Sequence, residues 1–329
     1  MKSETVIIIG AGPCGLSAAI ELQKRGIDAL ILEKGNLVHA IYQYPTHQQF
    51  FSTSEKLEIG QVPFYSTERK PKRNEALVYY RRAAEEYNLR IHPYEKVTEV
   101  EKTESGFAVT SEHKDKQKRY QCRYVIAATG YYGSPNFMKI PGEDQAHVHH
   151  YFHEAHPYFK RKVTIIGGKN SAVDAALELE KAGAEVTVLY RGSDYSKSIK
   201  PWILPEFDSL VRHGKIDMVF EAEVCRIESE CIVYRKDGVE HRLQSDTVFA
   251  MTGYRPDHRF LRHMGVAVDE KTGRPSFHSE TMETNAEGIY IAGVIAAGNN
   301  ANEIFIENGR WHGKLIAKSV QEKEVQPSH

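Results

Sequence analysis

The sequence predicts an α/β fold of two doubly wound, parallel-sheet units, the second inserted in the first, each carrying a small β-meander. Three observations predict it. A buried strand runs into a glycine loop and a helix at the start of the chain, Val6-Ile7-Ile8-Ile9-Gly10-Ala11-Gly12-Pro13-Cys14-Gly15. The pattern returns at Lys162-Val163-Thr164-Ile165-Ile166-Gly167-Gly168-Lys169-Asn170-Ser171-Ala172. Each copy is followed by a strand-rich stretch that ends in Thr-Gly, at Thr129-Gly130 and at Thr252-Gly253. Strands and helices that alternate around such loops build parallel sheets.

The first loop reads Gly-x-Gly-x-x-Gly between a strand and a helix, which is a Rossmann-like, dinucleotide-binding arrangement. Gly10 permits the tight turn, Gly12 lets a pyrophosphate approach the backbone, and Gly15 lets helix and strand pack closely. The free N–H groups at the helix start then face the phosphates. The second strand, Asp28 to Glu33, ends in a carboxylate about 20 residues beyond the loop, where a ribose-binding acid belongs. The bland alternative for Glu33 is a solvated strand end. Residues 36–70 are aromatic and polar with poor periodicity, which reads as a long functional loop with short helical pieces. Tyr42, Tyr44 and Phe51 lie in it, as cofactor shields or as packing. A helix follows over 75–87, then a meander over 90–126.

The second loop departs from the first. Lys169 takes the second glycine position and Ala172 the third, and the strand that follows ends in Tyr190-Arg191 instead of an acid. A carboxylate there repels a 2′-phosphate, whereas an arginine accommodates it. The pair therefore reads as FAD in the first unit and NADPH in the second. The alternative for Arg191 is a solvated cation. A second meander spans 216–249, the strand Gly288-Ile289-Tyr290-Ile291-Ala292-Gly293 returns to the first unit, and a closing helix runs over 303–321. The expected division is 1–155 with 285–329 for the FAD unit and 156–284 for the NADPH unit.

The chain has 329 residues and a formal net charge of −1. Near-neutral charge argues against nucleic acid or an anionic membrane as a partner, and no apolar run approaches the ~20 residues that span a bilayer. The four cysteines, Cys14, Cys122, Cys225 and Cys231, contain no C-x-x-C. Reduced thiols in a cytoplasmic enzyme are the expectation. Cys14 sits inside the phosphate loop, where a helix N-terminus stabilises a thiolate; it is either a redox residue or a small residue filling a tight helix start. The other three fall on predicted strands and read as buried or bystander thiols. His147, His149, His150, His153 and His156 read as part of a connector, without the regular spacing of a metal site.

These landmarks together resemble the two-dinucleotide-binding-domain flavoproteins over nearly the whole chain. Within that group the chain is most similar to the bacillithiol disulfide reductases of Firmicutes. The likeness rests on Gly-Ala-Gly-Pro-Cys-Gly at 10–15, on Tyr-Pro-Thr-x-x-x-Phe-Phe-Ser-Thr at 44–53, and on Gly-Gly-Lys-Asn-Ser-Ala at 167–172, where the lysine is a family trait. The resemblance implies FAD contacts at Gly10, Gly12, Pro13, Gly15, Glu33, Lys34, Gln43, Val97, Thr129, Gly130, Gly293 and Ile304. It implies NADPH contacts at Gly167, Gly168, Lys169, Asn170, Ser171 and Arg191, and no metal. It also implies NADPH-driven reduction of a low-molecular-weight disulfide with Cys14 as the proposed redox residue, and a homo-oligomer by analogy with related flavoproteins. The acid that usually follows the closing strand and holds the flavin ribityl chain is replaced here by Val294.

Three other readings share these fingerprints. A flavin monooxygenase has a similar Phe152/His153/His156 pattern but a glycine where this chain has Glu154. A ferredoxin reductase of thioredoxin-reductase type also lacks C-x-x-C. A flavin-bound redox sensor binds the cofactor without turnover.

Overall fold

A computed structural model describes residues 2–300 and 302–325. The chain divides into two compact units: Met1–Gln43 with His47–Ser134 and Arg255–His329, and Tyr44–Thr46 with Pro135–Tyr254.

The first unit opens with β1 (Lys2–Ile9), α1 (Pro13–Gln23) and β2 (Ala29–Leu32). Every side chain of β2 is buried, as are Val6, Ile7 and Ile8, as befits strands covered on both faces. The aromatic segment holds two short helices, α2 (His39–Tyr42) and α3 (Ser54–Leu57). In α4 (Arg73–Glu86) the buried residues Ala76, Tyr79, Tyr80, Ala83 and Ala84 recur at helical spacing and form one stripe. β3 (Arg90–His92) pairs in parallel with β2 and so joins the main sheet instead of the meander. The meander itself is β4 (Lys96–Thr103), β5 (Gly106–His113) and β6 (Lys116–Ala127). β6 serves both: its first half is antiparallel to β5, and its second half lies parallel beside β1.

The second unit contains β7 (Val148–His149), β8 (Lys162–Ile166), α5 (Asn170–Lys181), β9 (Glu185–Leu189), α6 (Leu204–Arg212) and β10 (Ile216–Val219). β11 (Glu223–Ile227), β12 (Cys231–Lys236) and β13 (Val239–Gln244) form a separate antiparallel sheet. β14 (Thr247–Ala250) returns to a parallel sheet in the order β10-β9-β8-β14-β7. The expected meander over 216–249 is therefore only its middle part; both ends belong to the parallel sheet.

The chain then re-enters the first unit through α7 (His258–His263), β15 (Ile289–Ile291), α8 (Ile306–Gly309) and α9 (His312–Val325). β15 pairs in parallel with β6 and completes a seven-stranded sheet. Both crossings come earlier than the expected 155/156 and 284/285, for two reasons. Val148 and His149 pair with β14, and Phe152 is buried in the core of the second unit. Leu261, Met264 and Val266 pack into the core of the first. The expected closing helix is likewise two pieces, broken after Gly309 and resumed at His312. Among the described residues no helix is long and apolar enough to cross a membrane.

Candidate functional site

In the first unit the loop between β1 and α1 is pressed against neighbouring main chain on two sides. Gly10 has φ 111° and donates its N–H to Leu32 O at 2.9 Å. A Cβ on it would lie 2.5 Å from the Ala128 carbonyl oxygen, and a Cβ on Gly15 would overlap the Gly10 carbonyl. Around Gly12, by contrast, nothing lies within 4 Å of where a Cβ would stand. Pro13 occupies the first turn, and no side chain caps the helix. The N–H groups of Cys14 and Gly15 therefore have no intrahelical acceptor. A tight, open-faced loop with free N–H donors fits a pyrophosphate.

Glu33 ties this loop to the sheet. Its carboxylate is buried and accepts the N–H of Ala11 at 2.7 Å and of Gly35 at 2.8 Å. Its main chain is gripped as well: Glu33 N–H donates to His92 O, and Glu33 O accepts from Glu95 N–H. Glu95 is itself buried. Burial alone would raise its carboxyl, but hydrogen bonds from Lys118, Tyr120 and Ser111 outweigh that and hold it at about 2.

Among the other residues expected at FAD, Thr129 and Gly130 follow β6, with Thr129 beside Gly10. Lys34 is exposed, its Nζ against Gly133. Gln43 caps α2. Val97 has its side chain in the core, which leaves only its main chain for a ligand.

Four residues distant in sequence meet at one point. A Cβ on Gly293 would stand 2.9 Å from Cys14 Sγ, and one on Gly309 would stand 3.0 Å from the same sulfur and 3.2 Å from Ile304. The expectation of a Cys14 thiolate meets the opposite tendency. Cys14 keeps some exposed surface as a residue, but its sulfur is hemmed in closely, and burial pushes the thiol up to about 12. Desolvation is the cause. Sequence reasoning missed Gly309 and also His312, whose Nδ1 accepts the Gly293 N–H at 3.1 Å. Their sequence signal was the Asn308-Gly309 pair, a helix stop inside the segment expected as one helix.

The second unit repeats the corner. Gly167 has φ 145°, donates to Leu189 O at 3.0 Å, and would place a Cβ 2.5 Å from Met251 O. Gly168 makes room for the Tyr190 ring. Lys169 is the N-cap of α5. Lys169, Ser171 and Arg191 are exposed, and neither cation has a hydrogen-bond or ion-pair partner among the described residues. Asn170 is placed differently from the expectation of a ligand-facing amide. Its Nδ2 donates to Ser198 O at 2.8 Å and its Oδ1 accepts Lys200 N–H at 2.9 Å. The side chain thus fixes the 198–200 segment, and only its main chain remains for a ligand. Free Lys169 and Arg191 suit a phosphate-rich nucleotide.

The other cysteines are free: Cys122 is buried, and Cys225 and Cys231 lie on β11 and β12. The histidine segment supplies β7 and the core residue Phe152. Among the described residues no group of three histidine, cysteine or acidic side chains is placed to hold a metal.

The model of the pyridine nucleotide-disulphide oxidoreductase family matches residues 7–293, which span both corners. The chain belongs to this family. It is 58% identical over 325 residues to the bacilliredoxin reductase Bdr of Bacillus subtilis, covering 98% of this chain and 99% of that one. The solved bacillithiol disulfide reductase Bdr of Bacillus cereus superposes with TM-score 0.96 at 58% identity, over 98% of this chain and all of the other. Its counterpart from Staphylococcus aureus gives TM-score 0.93 at 55% identity, over 98% of this chain and all of the other. Membership makes the chain an oxidoreductase, and both glycine corners lie inside the matched span.

Proposed function

We propose that the chain is an NADPH-dependent, FAD-containing reductase of bacillithiol disulfide. The observation that carries the reading is the end-to-end likeness to bacillithiol disulfide reductases at 55–58% identity, with both cradles inside the matched span. FAD, when bound, supplies the two-electron chemistry that links a nicotinamide to a disulfide. The loop at Gly10–Gly15, closed by Glu33, would hold its pyrophosphate and adenosine ribose. Thr129, Gly130, Gly293, Ile304, Lys34, Gln43 and the main chain of Val97 would complete its surroundings. Gly167, Gly168, Ser171 and the N-terminus of α5 would hold the NADPH phosphates, and Lys169 and Arg191 would meet the added charge of the 2′-phosphate.

Cys14 enters the proposal as a neutral thiol. Attack on a disulfide requires the thiolate, and burial of Cys14 disfavours its ionisation. Its sulfur instead fills the space between Gly293 and Gly309. The proposed setting is the cytoplasm, with a small-molecule partner, no nucleic acid or membrane, and a homo-oligomeric assembly.

The name of the Bacillus subtilis relative favours a second acceptor, an oxidised bacilliredoxin. One assay separates the two. NADPH oxidation by the FAD-loaded enzyme is followed with bacillithiol disulfide alone, with oxidised bacilliredoxin, with ferredoxin, and with oxygen. Turnover with bacillithiol disulfide alone is expected. Turnover only with the protein acceptor moves the function to the second reading, and turnover only with ferredoxin or oxygen rejects both.

A further inference from the structure

The corner after β15 has a gap in its chemistry. Residues 294–297 read Val-Ile-Ala-Ala, and Ile295, Ala296 and Ala297 are buried. Cys14, Ile304 and Gly309 crowd the same place with apolar or neutral groups. Among the described residues one side chain hydrogen-bonds to residues 293–297, that of His312. Gly293 lies just beyond the carboxyl end of a strand of the parallel sheet, beside the ends of β6 and β1, and open α/β sheets bind ligands at that edge.

The hydrogen bond fixes the state of the imidazole. Nδ1 accepts the Gly293 N–H, so it carries no proton, and the single ring proton of the neutral form lies on Nε2. Burial agrees, lowering His312 to about 4. Nε2 has no partner among the described residues, and it is not one of the fully enclosed orphan nitrogens such as those of His147 and His258. A half-buried N–H donor of fixed tautomer, anchored on the glycine that ends β15, is a built hydrogen-bonding position.

We propose that His312 is a binding residue of the FAD site, donating its Nε2–H to the cofactor at the corner of Gly293 and Val294, where the side chain of residue 294 itself offers nothing polar. This rests on the FAD reading given above. It assigns the imidazole two separable tasks: Nδ1 steadies Gly293, and Nε2–H meets the ligand.

Two substitutions divide the tasks. In His312→Asn the amide oxygen stands near the place of Nδ1 and accepts the Gly293 N–H, but nothing reaches the place of Nε2. In His312→Gln the amide nitrogen reaches the place of Nε2, and the Gly293 N–H loses its acceptor. The protein is stripped of flavin and titrated with FAD, following flavin fluorescence, and the melting temperature of each apoprotein is recorded. His312→Asn is expected to raise the Kd for FAD roughly threefold to tenfold, the worth of one neutral hydrogen bond, with little change in apoprotein melting. His312→Gln is expected to keep the wild-type Kd and to melt lower. Wild-type affinity in His312→Asn, or an equal loss of affinity in both variants, overturns the proposal and leaves His312 as a strut for Gly293. A wild-type apoprotein that binds no FAD overturns the cofactor reading itself.

Discussion

At Gly10 and at Gly167 the chain makes the same corner. Each glycine has a positive φ, donates to the last residue of the next strand over, and leaves no room for a Cβ against a carbonyl from the strand on its other side. What surrounds the corners differs. The first is closed by a buried carboxylate that binds two loop amides, backed by a buried polar network around Glu95. At the second, the next strand runs into Tyr190-Arg191 instead of an acid, and Lys169 and Arg191 stand exposed beside it without a partner among the described residues. One backbone device thus serves two electrostatic environments, and in the proposed reading the choice between cofactors rests on the side chains placed just beyond the turn.

Breaking the shared device gives the largest effect. Gly10→Ala or Gly167→Ala forces both a strained φ and an overlap with backbone, which costs on the order of 3 kcal/mol or more. Each is expected to lower the denaturation midpoint sharply, and Gly10→Ala to yield protein without flavin. Gly12→Ala is the contrast, because a methyl group there meets nothing. Its apoprotein melts like wild type yet retains little FAD by absorbance.

Acid separates the two units next. His312, in the first, has its pKa lowered to about 4 by burial, so between about 6.5 and 4 the unfolded chain binds the extra proton. That contribution to stability is present above pH 6.5 and is lost as pH falls toward 4, on the order of 2–3 kcal/mol. Asp174, in α5 of the second, is raised to about 6, first by burial and then by Glu178. The sign reverses: here the folded chain holds the proton, and stability is lost as pH rises through 6. Melting curves from pH 4.5 to 8 check both. The advantage of wild type over His312→Gln shrinks in acid, and Asp174→Asn stabilises at pH 8 but not at pH 4.5.

Glu33→Gln tests the closure of the first corner. Its amide keeps one acceptor but turns a donor toward a second N–H donor, at a cost of about 2 kcal/mol. Lower apoprotein stability and weaker FAD retention are expected together. The smallest effect is at the second corner. Arg191→Ala leaves melting unchanged, since the side chain is exposed and unpaired. It raises the KM for NADPH roughly tenfold, about 1.4 kcal/mol, with NADH unaffected. An equal rise for both nucleotides removes the 2′-phosphate argument.

Both corners were legible in the sequence because they are local: a strand, a few loop residues and a helix start determine them, and Glu33 and Arg191 follow at fixed spacing. The surroundings of Cys14 were not, because Gly293 and Gly309 arrive from the far end of the chain and bury its sulfur. The same holds for Asn170, whose amide is taken by residues 198–200. The unit boundaries were misplaced because Phe152, Leu261 and Val266 choose their unit by packing, which no local pattern records. The break between α8 and α9 creates the place of His312, and its sequence signal is the Asn308-Gly309 pair inside the expected helix.

The most direct test of the function is anaerobic. The FAD-loaded enzyme is reduced with one equivalent of NADPH, mixed with bacillithiol disulfide, and followed by flavin absorbance, for wild type and for Cys14→Ala. Rapid return of oxidised flavin in wild type, with a return at a similar rate in Cys14→Ala, is the expected result. No return in wild type contradicts the proposed substrate, and a return abolished in Cys14→Ala while reduction by NADPH is intact contradicts the neutral, space-filling thiol.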